Sequence, residues 1–249
     1  MRTAPPNCAA NQRANSKASP YYTSYAYSNL GILHTQFGNY PKAEAAFKEG
    51  IRIKPSLPTN YFNLGNVYAQ QGRYLKAKDA YDKAERLYHE YRWGYKIPPE
   101  LYLNKARVLL ILGIHTEAEE AAVDYLQRIP DSGPGHFRLG TIYAAMGKEE
   151  EAIREYQLSG DDPKLRAEAH NNTAIIFIKR DQADRALEEL KQAVTLSPSL
   201  LDAHYNMGRL LAETGGDMEK ARNHLEIALK LSPNLESRKR VQQVLNSLP

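Results

Sequence analysis

The sequence predicts an all-α fold, an α-solenoid of stacked helix pairs, and three observations predict it. Gly31, Gly65, Ala106, Gly140, Ala174 and Gly208 follow one another at intervals of 34, 41, 34, 34 and 34 residues. A second ladder, Ala43, Ala77, Ala118, Ala152, Ala186 and Ala221, trails the first by 12 residues five times and by 13 once. A period of this size marks a repeat array, whose units bury their apolar faces only against one another. Pro55, Pro130, Pro163, Pro198 and Pro233 fall near the predicted ends of the pairs, where proline cannot continue a helix.

Residues 1–22 are expected to form a disordered tail. The first twenty hold Pro5, Pro6, Pro20 and several Asn and Ser, with no large apolar residue except Met1. Such a stretch buries too little to offset its ordering entropy, and it has no apolar core of an export signal. Residues 23–249 then form one repeat domain, with units at 24–57, 58–91, 99–132, 133–166, 167–200 and 201–235. In the second unit Tyr61, Leu64, Gly65 and Tyr68 share one helical face, Gly72 breaks the helix, and Ala77, Tyr81 and Ala84 line the next. The small residue on the first helix lets the second approach closely, and the alanine serves the same contact from the other side.

Seven extra residues, 92–98, separate the second and third units, and the apolar pattern through Leu87 and Tyr88 carries the preceding helix onward. Tyr88, Tyr91, Trp93 and Tyr95 either plug the gap the insertion makes, the favoured reading, or form a binding hot spot. After Pro233, Asn234 can cap a last helix over 235–248. Its stripe of Val241, Val244, Leu245 and Leu248 suits the cover that a terminal repeat needs.

These residues resemble the tetratricopeptide repeat. The second unit gives Tyr61, Leu64-Gly65, Tyr68, Ala77, Tyr81 and Ala84; the first gives Tyr27, Leu30-Gly31, Ala43, Phe47 and Pro55; the fourth gives Leu139-Gly140, Tyr143, Ala152 and Tyr156. The third unit departs most, with Lys105, Ala122 and Tyr125 at normally apolar or small places, and His89 stands where the second should have proline. The resemblance implies a right-handed superhelix whose first helices line a concave groove.

The remaining chemistry is mostly excluded. No segment approaches the ~20 apolar residues of a membrane helix, and a net charge of +4 is too small and dispersed to argue for nucleic acid. Arg238-Lys239-Arg240 reads as a solvated helix face. The single cysteine, Cys8, excludes an intrachain disulfide and fits a reducing, cytoplasmic setting. His136, His170 and His204 recur at intervals of 34, a whole repeat apart, so they cannot share a metal ion and are expected to pack. No phosphate loop, nucleophile elbow, H-E-x-x-H or Cys-x-x-Cys occurs, so neither an enzyme nor a cofactor is expected. Asn171-Asn172-Thr173 fits a glycosylation sequon but falls within a helix.

The informative polar pattern is an asparagine series. With places counted from the first residue of each repeat, place 6 holds Asn29, Asn63, Asn104, Arg138, Asn172 and Asn206. Places 4, 7, 8 and 11 cluster on one side of the first helix, and place 6 points to roughly the opposite side. Asparagine is a mediocre helix former, but its amide matches the N–H and C=O of a peptide unit. The series is similar to the asparagine ladder of O-linked N-acetylglucosamine transferase repeats, without their catalytic domain. The alternative is that these side chains tie adjacent first helices together.

Resemblance to carboxylate-clamping repeat domains is partial: Phe62, Asn66, Asn104, Pro134 and Arg138 stand at the clamp places, so both lysines are missing, and Arg107 is the nearest substitute charge. The expected function is a protein–protein interaction scaffold that holds an extended peptide of a partner. Phe62, Leu103, Phe137 and Tyr205 would give apolar contacts, and Arg107, Arg138 and Arg209 would favour acidic residues. The rivals are the repeat region of a larger glycosyltransferase and a self-assembling scaffold.

Overall fold

The structure is a computed structural model that describes residues 19–90 and 96–248. Among the described residues there are thirteen α-helices and no strand. They are α1 (Pro20–Gln36), α2 (Tyr40–Ile53), α3 (Pro58–Gln70), α4 (Tyr74–Glu90), α5 (Pro99–Ile111), α6 (His115–Arg128) and α7 (Gly133–Ala145). After them come α8 (Glu149–Gln157), α9 (Pro163–Lys179), α10 (Ala183–Leu196), α11 (Leu201–Glu213), α12 (Met218–Leu231) and α13 (Leu235–Asn246). They fall into two compact units, one ending at Ile114 and the other beginning at His115, inside the third sequence repeat.

Close approach of paired helices follows from the two small-residue ladders. A Cβ added at Gly31 would meet the Phe47 ring at 2.6 Å, and one at Gly65 would meet the Tyr81 ring at 2.6 Å. The six alanines of the second ladder are each 0% exposed. In the first unit, Ala43, Phe47, Leu64, Val67, Tyr68, Ala77, Tyr81 and Val108 form one core. In the second, Ala174, Phe177, Ala186, Leu190, Ala203, Met207 and Ala221 form another.

Every turn inside a pair uses one device. Place 15 holds Gly38, Gly72, Gly113, Gly147, Asp181 and Gly215, all at positive φ between 57° and 74°. The residue after each returns its N–H to the carbonyl five residues back, as Arg73 does to Tyr68 and Gln182 to Phe177. This is the left-handed helix stop that glycine enters without steric penalty. Asp181 is the one described non-glycine residue there.

Two expectations change, and two fall outside the described residues. Residues 20–22, assigned to the tail, are the first turn of α1, because Pro20 sits where a helix tolerates proline. Residues 1–18, with Cys8, lie outside the described residues, as do Tyr91, Trp93 and Tyr95 of the insertion. Pro163 does not end a pair but begins α9, with Asp162 accepting from Leu165 N–H as its cap. As a result α8 has only 9 residues and α9 has 17. The chain between them folds back on the start of α7, where Gly133 touches Ser159 and Gly160 so closely that no Cβ fits.

One departure from the pattern finds its partners, and one expected cap is present. Lys105, out of place in the third repeat, is held by Asp82 and Glu85 at 2.7 Å each. Asn234 caps α13 by accepting from Ser237 N–H at 2.9 Å, and Val241 and Leu245 are buried against Leu225 and Ala228.

Candidate peptide-binding site

In the first unit, the side chains at places 5, 6 and 9 gather around one tyrosine. Tyr81 on α4 donates to Asn66 Oδ1 at 2.8 Å, and Asn104 Nδ2 on α5 donates to the same oxygen at 3.0 Å. The Phe62 ring packs on Tyr81 with centroids 6.2 Å apart. Burial pushes the Tyr81 hydroxyl well above its ordinary pKa, and the nearby charge of Arg107 opposes that. Asn63 lines an adjoining recess of about 170 Å³ with Ile32, Thr35, Gln36, Phe47 and Asn66. Asn29 is exposed on α1.

The second unit rebuilds the arrangement around Tyr156. Phe137 packs on it at 5.7 Å between centroids. Burial pushes the Tyr156 hydroxyl up, and the side chains of Thr141 and Asn172 and the charge of Arg138 pull it down. Thus Tyr81 and Tyr156, both at place 24, each collect a phenylalanine from place 5, a polar side chain from place 9 and an asparagine from place 6 of the next repeat. Periodicity had marked these tyrosines as packing residues; their hydroxyls had no sequence signal.

The last repeat differs. Asn206 is buried and donates from Nδ2 to Asn171 Oδ1 at 2.9 Å. The Tyr205 ring, expected to give an apolar contact, is half-buried, with Arg240 lying 4.4 Å from its centroid and reaching Asp202 at 3.2 Å. The cause is α13, which packs over α12 and brings Arg240 across the ring. Arg209 remains half-buried, its Nε without a hydrogen-bond partner among the described residues and its Nη1 3.6 Å from Glu213. Asn104 and Asn206 therefore each bond the first helix of one repeat to that of the next. Each keeps its Oδ1 and one N–H outside that tie.

Place 4 is polar as well. His136 pairs through Nδ1 with Glu155 at 2.7 Å, His170 with Glu189 at 2.6 Å, and His204 with His224 at 2.9 Å. They hydrogen-bond rather than simply pack, and no metal-holding group of three or more ligating side chains occurs among the described residues. An ionic tie also repeats. Glu44 is bonded by Arg73 at 2.6 Å and Tyr68 at 3.2 Å, and Lys148 reaches Glu119 at 2.9 Å while lying over the Tyr143 ring. Among the described residues no helix is long and apolar enough to cross a membrane.

Comparison with known proteins agrees with this register. Family models described as TPR repeat or tetratricopeptide repeat match residues 31–72, 58–91, 134–159 and 171–236. The chain is 32% identical over 139 residues to Protein O-mannosyl-transferase TMTC1 of Mus musculus, a stretch that is 54% of this chain and 15% of that protein. The human TMTC1 is 28% identical over 139 residues, 16% of its length. Among solved structures, the APC/C hetero-tetramer Cut9-Hcn1 matches at TM-score 0.69 and 18% identity, over 90% of this chain and 42% of that one. PilF of Pseudomonas aeruginosa matches at 0.67 and 18%, over 91% and 99%. YrrB, described as a TPR protein with an unusual peptide-binding site, matches at 0.62 and 22%, over 78% and 94%. With the ladders, the paired helices and the left-handed turns all in one register, the chain belongs to the tetratricopeptide repeat family.

Proposed function

We propose that this chain is a cytoplasmic, non-catalytic protein-interaction scaffold that takes an extended segment of a partner protein along the first-helix faces of its repeats. Tetratricopeptide repeats generally mediate protein–protein interaction, and YrrB is a relative in fold with a peptide-binding site. The observation that carries the proposal is the recurrence of one cluster in two units: ring, amide and guanidinium at Phe62, Asn104 and Arg107, then at Phe137, Asn172 and Arg138. The amides supply backbone partners, each worth about 1 kcal/mol, and the arginines favour acidic segments.

The test is selection of binding peptides from a random library on the full chain, followed by calorimetry with Asn63→Ala/Asn172→Ala and Arg107→Ala/Arg138→Ala. Enrichment of acidic peptides whose affinity falls about tenfold or more in both variants supports the reading. Peptides that bind both variants as they bind the parent chain would overturn it.

A second reading rests on the match to TMTC1: the chain is the repeat part of a larger glycosyltransferase, presenting an acceptor protein to a catalytic domain. A continuous reading frame that encodes such a domain would establish it.

A further inference from the structure

The shortened α8 and lengthened α9 open a cavity of about 200 Å³ in the second unit, lined by Gln157, Ser159, Arg166, His170, Thr173 and Glu189 among others. Its chemistry comes from a break in a pattern. In the fourth repeat His136 uses both ring nitrogens, Nδ1 on Glu155 and Nε2 on the Pro130 carbonyl at 2.8 Å. In the sixth His204 likewise places Nε2 on the Pro198 carbonyl at 3.1 Å. The equivalent residue for His170 is Lys164, and it lies inside α9, because that helix starts earlier. Its carbonyl belongs to the helix, so His170 Nε2 has no hydrogen-bond partner among the described residues.

We propose that this cavity binds a carboxylate group between Arg166 and the imidazole of His170. Glu189 is an acceptor, so His170 Nδ1 carries a proton and donates to it. That contact fixes the ring with Nε2 turned to a second partner on its other side, and the imidazolium form presents Nε2–H there. Arg166 is exposed and makes no ion pair among the described residues, leaving its planar fork for a two-pronged contact with a carboxylate. Gln157, Ser159 and Thr173 add amide and hydroxyl donors at the wall. The fixed charge of Glu189 disfavours a doubly charged phosphate more than a singly charged carboxylate. The volume suits a small acid or one acidic group of a peptide, below the ~300 Å³ where drug-sized sites begin. Tyr156 also lines this cavity, but no residue of the place-6 series does, so the proposal needs none of the amide contacts of the groove reading.

The test follows the histidine ring signals of the full chain by nuclear magnetic resonance, assigned with His170→Gln and His136→Gln. The probes are acetate, succinate, an end-capped tripeptide with one glutamate, and an N-capped alanine tripeptide with a free carboxyl terminus, against chloride at equal ionic strength. The expected result is a saturable shift at His170 with none at His136, whose Nε2 is already bonded. Arg166→Ala, which removes an exposed side chain, should weaken that binding at least about tenfold with an unchanged helical spectrum, as expected of a charge-assisted contact. Response to acetate and succinate alone makes the site one for free acids; response to a tripeptide makes it one for acidic side chains or chain ends. Absence of a saturable shift with every probe would overturn the proposal. So would equal shifts at His170 and His136, or equal binding by Arg166→Ala.

Discussion

Asn104 donates from Nδ2 to Asn66 Oδ1 at 3.0 Å, joining the first helices of successive repeats through two amides. The same oxygen also accepts from Tyr81, so one atom anchors two elements. Asn104→Ala is therefore expected to lower stability by about 1 kcal/mol, the ordinary net worth of one such bond. Asn63→Ala should leave stability within about 0.5 kcal/mol, because alanine is the better helix former and Asn63 makes no side-chain hydrogen bond among the described residues. Urea midpoints of the two variants, measured together, check this. Equal losses would show that Asn63 is also a structural tie.

Asp181 occupies the left-handed position that glycine fills in the other five repeats. A left-handed residue with a Cβ costs roughly 1–2 kcal/mol relative to glycine, partly offset by glycine's greater freedom when unfolded. Asp181→Gly should raise stability by about 0.5–1 kcal/mol, and Gly72→Ala should lower it by a similar amount. No atom lies within 4 Å of a Cβ placed at Gly72, so its loss would be purely a backbone effect. Thermal melting of both variants tests the sign of each.

Glu44 gives a pH signature. Burial works against its charge, but hydrogen bonds from Lys48 and Arg73 outweigh that and hold the carboxyl at about 2. A carboxyl depressed in the folded chain, with an unfolded value near ~4.3, contributes stability that is complete above the unfolded value. That contribution is lost as pH falls through the folded one. The stability difference between the parent chain and Glu44→Gln should be full at pH 6, shrink below about pH 4.5 and vanish near pH 2. A difference that stays constant over that range would remove charge as the cause.

His204 and His224 respond in the same direction for a different reason. Burial pushes both below the ordinary histidine range, and for His224 the charge of His204 adds to it. A depressed base takes its proton first in the unfolded chain, so acidification through about pH 6.5 favours unfolding. His224→Glu restores the partner type that His136 and His170 have. The variant should gain on the parent chain as pH falls from 7 to 5, read as the difference in melting temperature. A gap that does not widen on acidification would show that the pair is not the sensor.

The array was legible because its ladders are packing requirements: a ring at Phe47 or Tyr81 leaves no room for a side chain at Gly31 or Gly65, so the register is written in composition. The partners of the asparagines were not legible. Periodicity assigns Asn206 to a face but does not say that Asn171 stands 2.9 Å away, nor that α13 lays Arg240 over Tyr205. The short α8 had a readable signal that the 34-residue register overrode. Ser159-Gly160-Asp161-Asp162-Pro163 is a glycine stop, an aspartate cap and a first-turn proline in sequence. Counting by 34 placed Pro163 at an end instead of a beginning. The open Nε2 of His170 follows from that same shift, so it too was beyond a fixed register.

Repeat arrays invite the idea of interchangeable parts, since each unit meets only its neighbours. The contact of Gly133 with Ser159 and Gly160 sets a limit on that modularity. The start of the fourth unit is keyed to the shape of its own exit loop, and a consensus unit of ordinary length would supply neither half of the fit. Segments 132–135 and 158–162 thus form one fitted joint, and a change in either calls for a matching change in the other. In duplication, or in a laboratory chimera, the joint can be cut safely on either side of this pair but not between its halves.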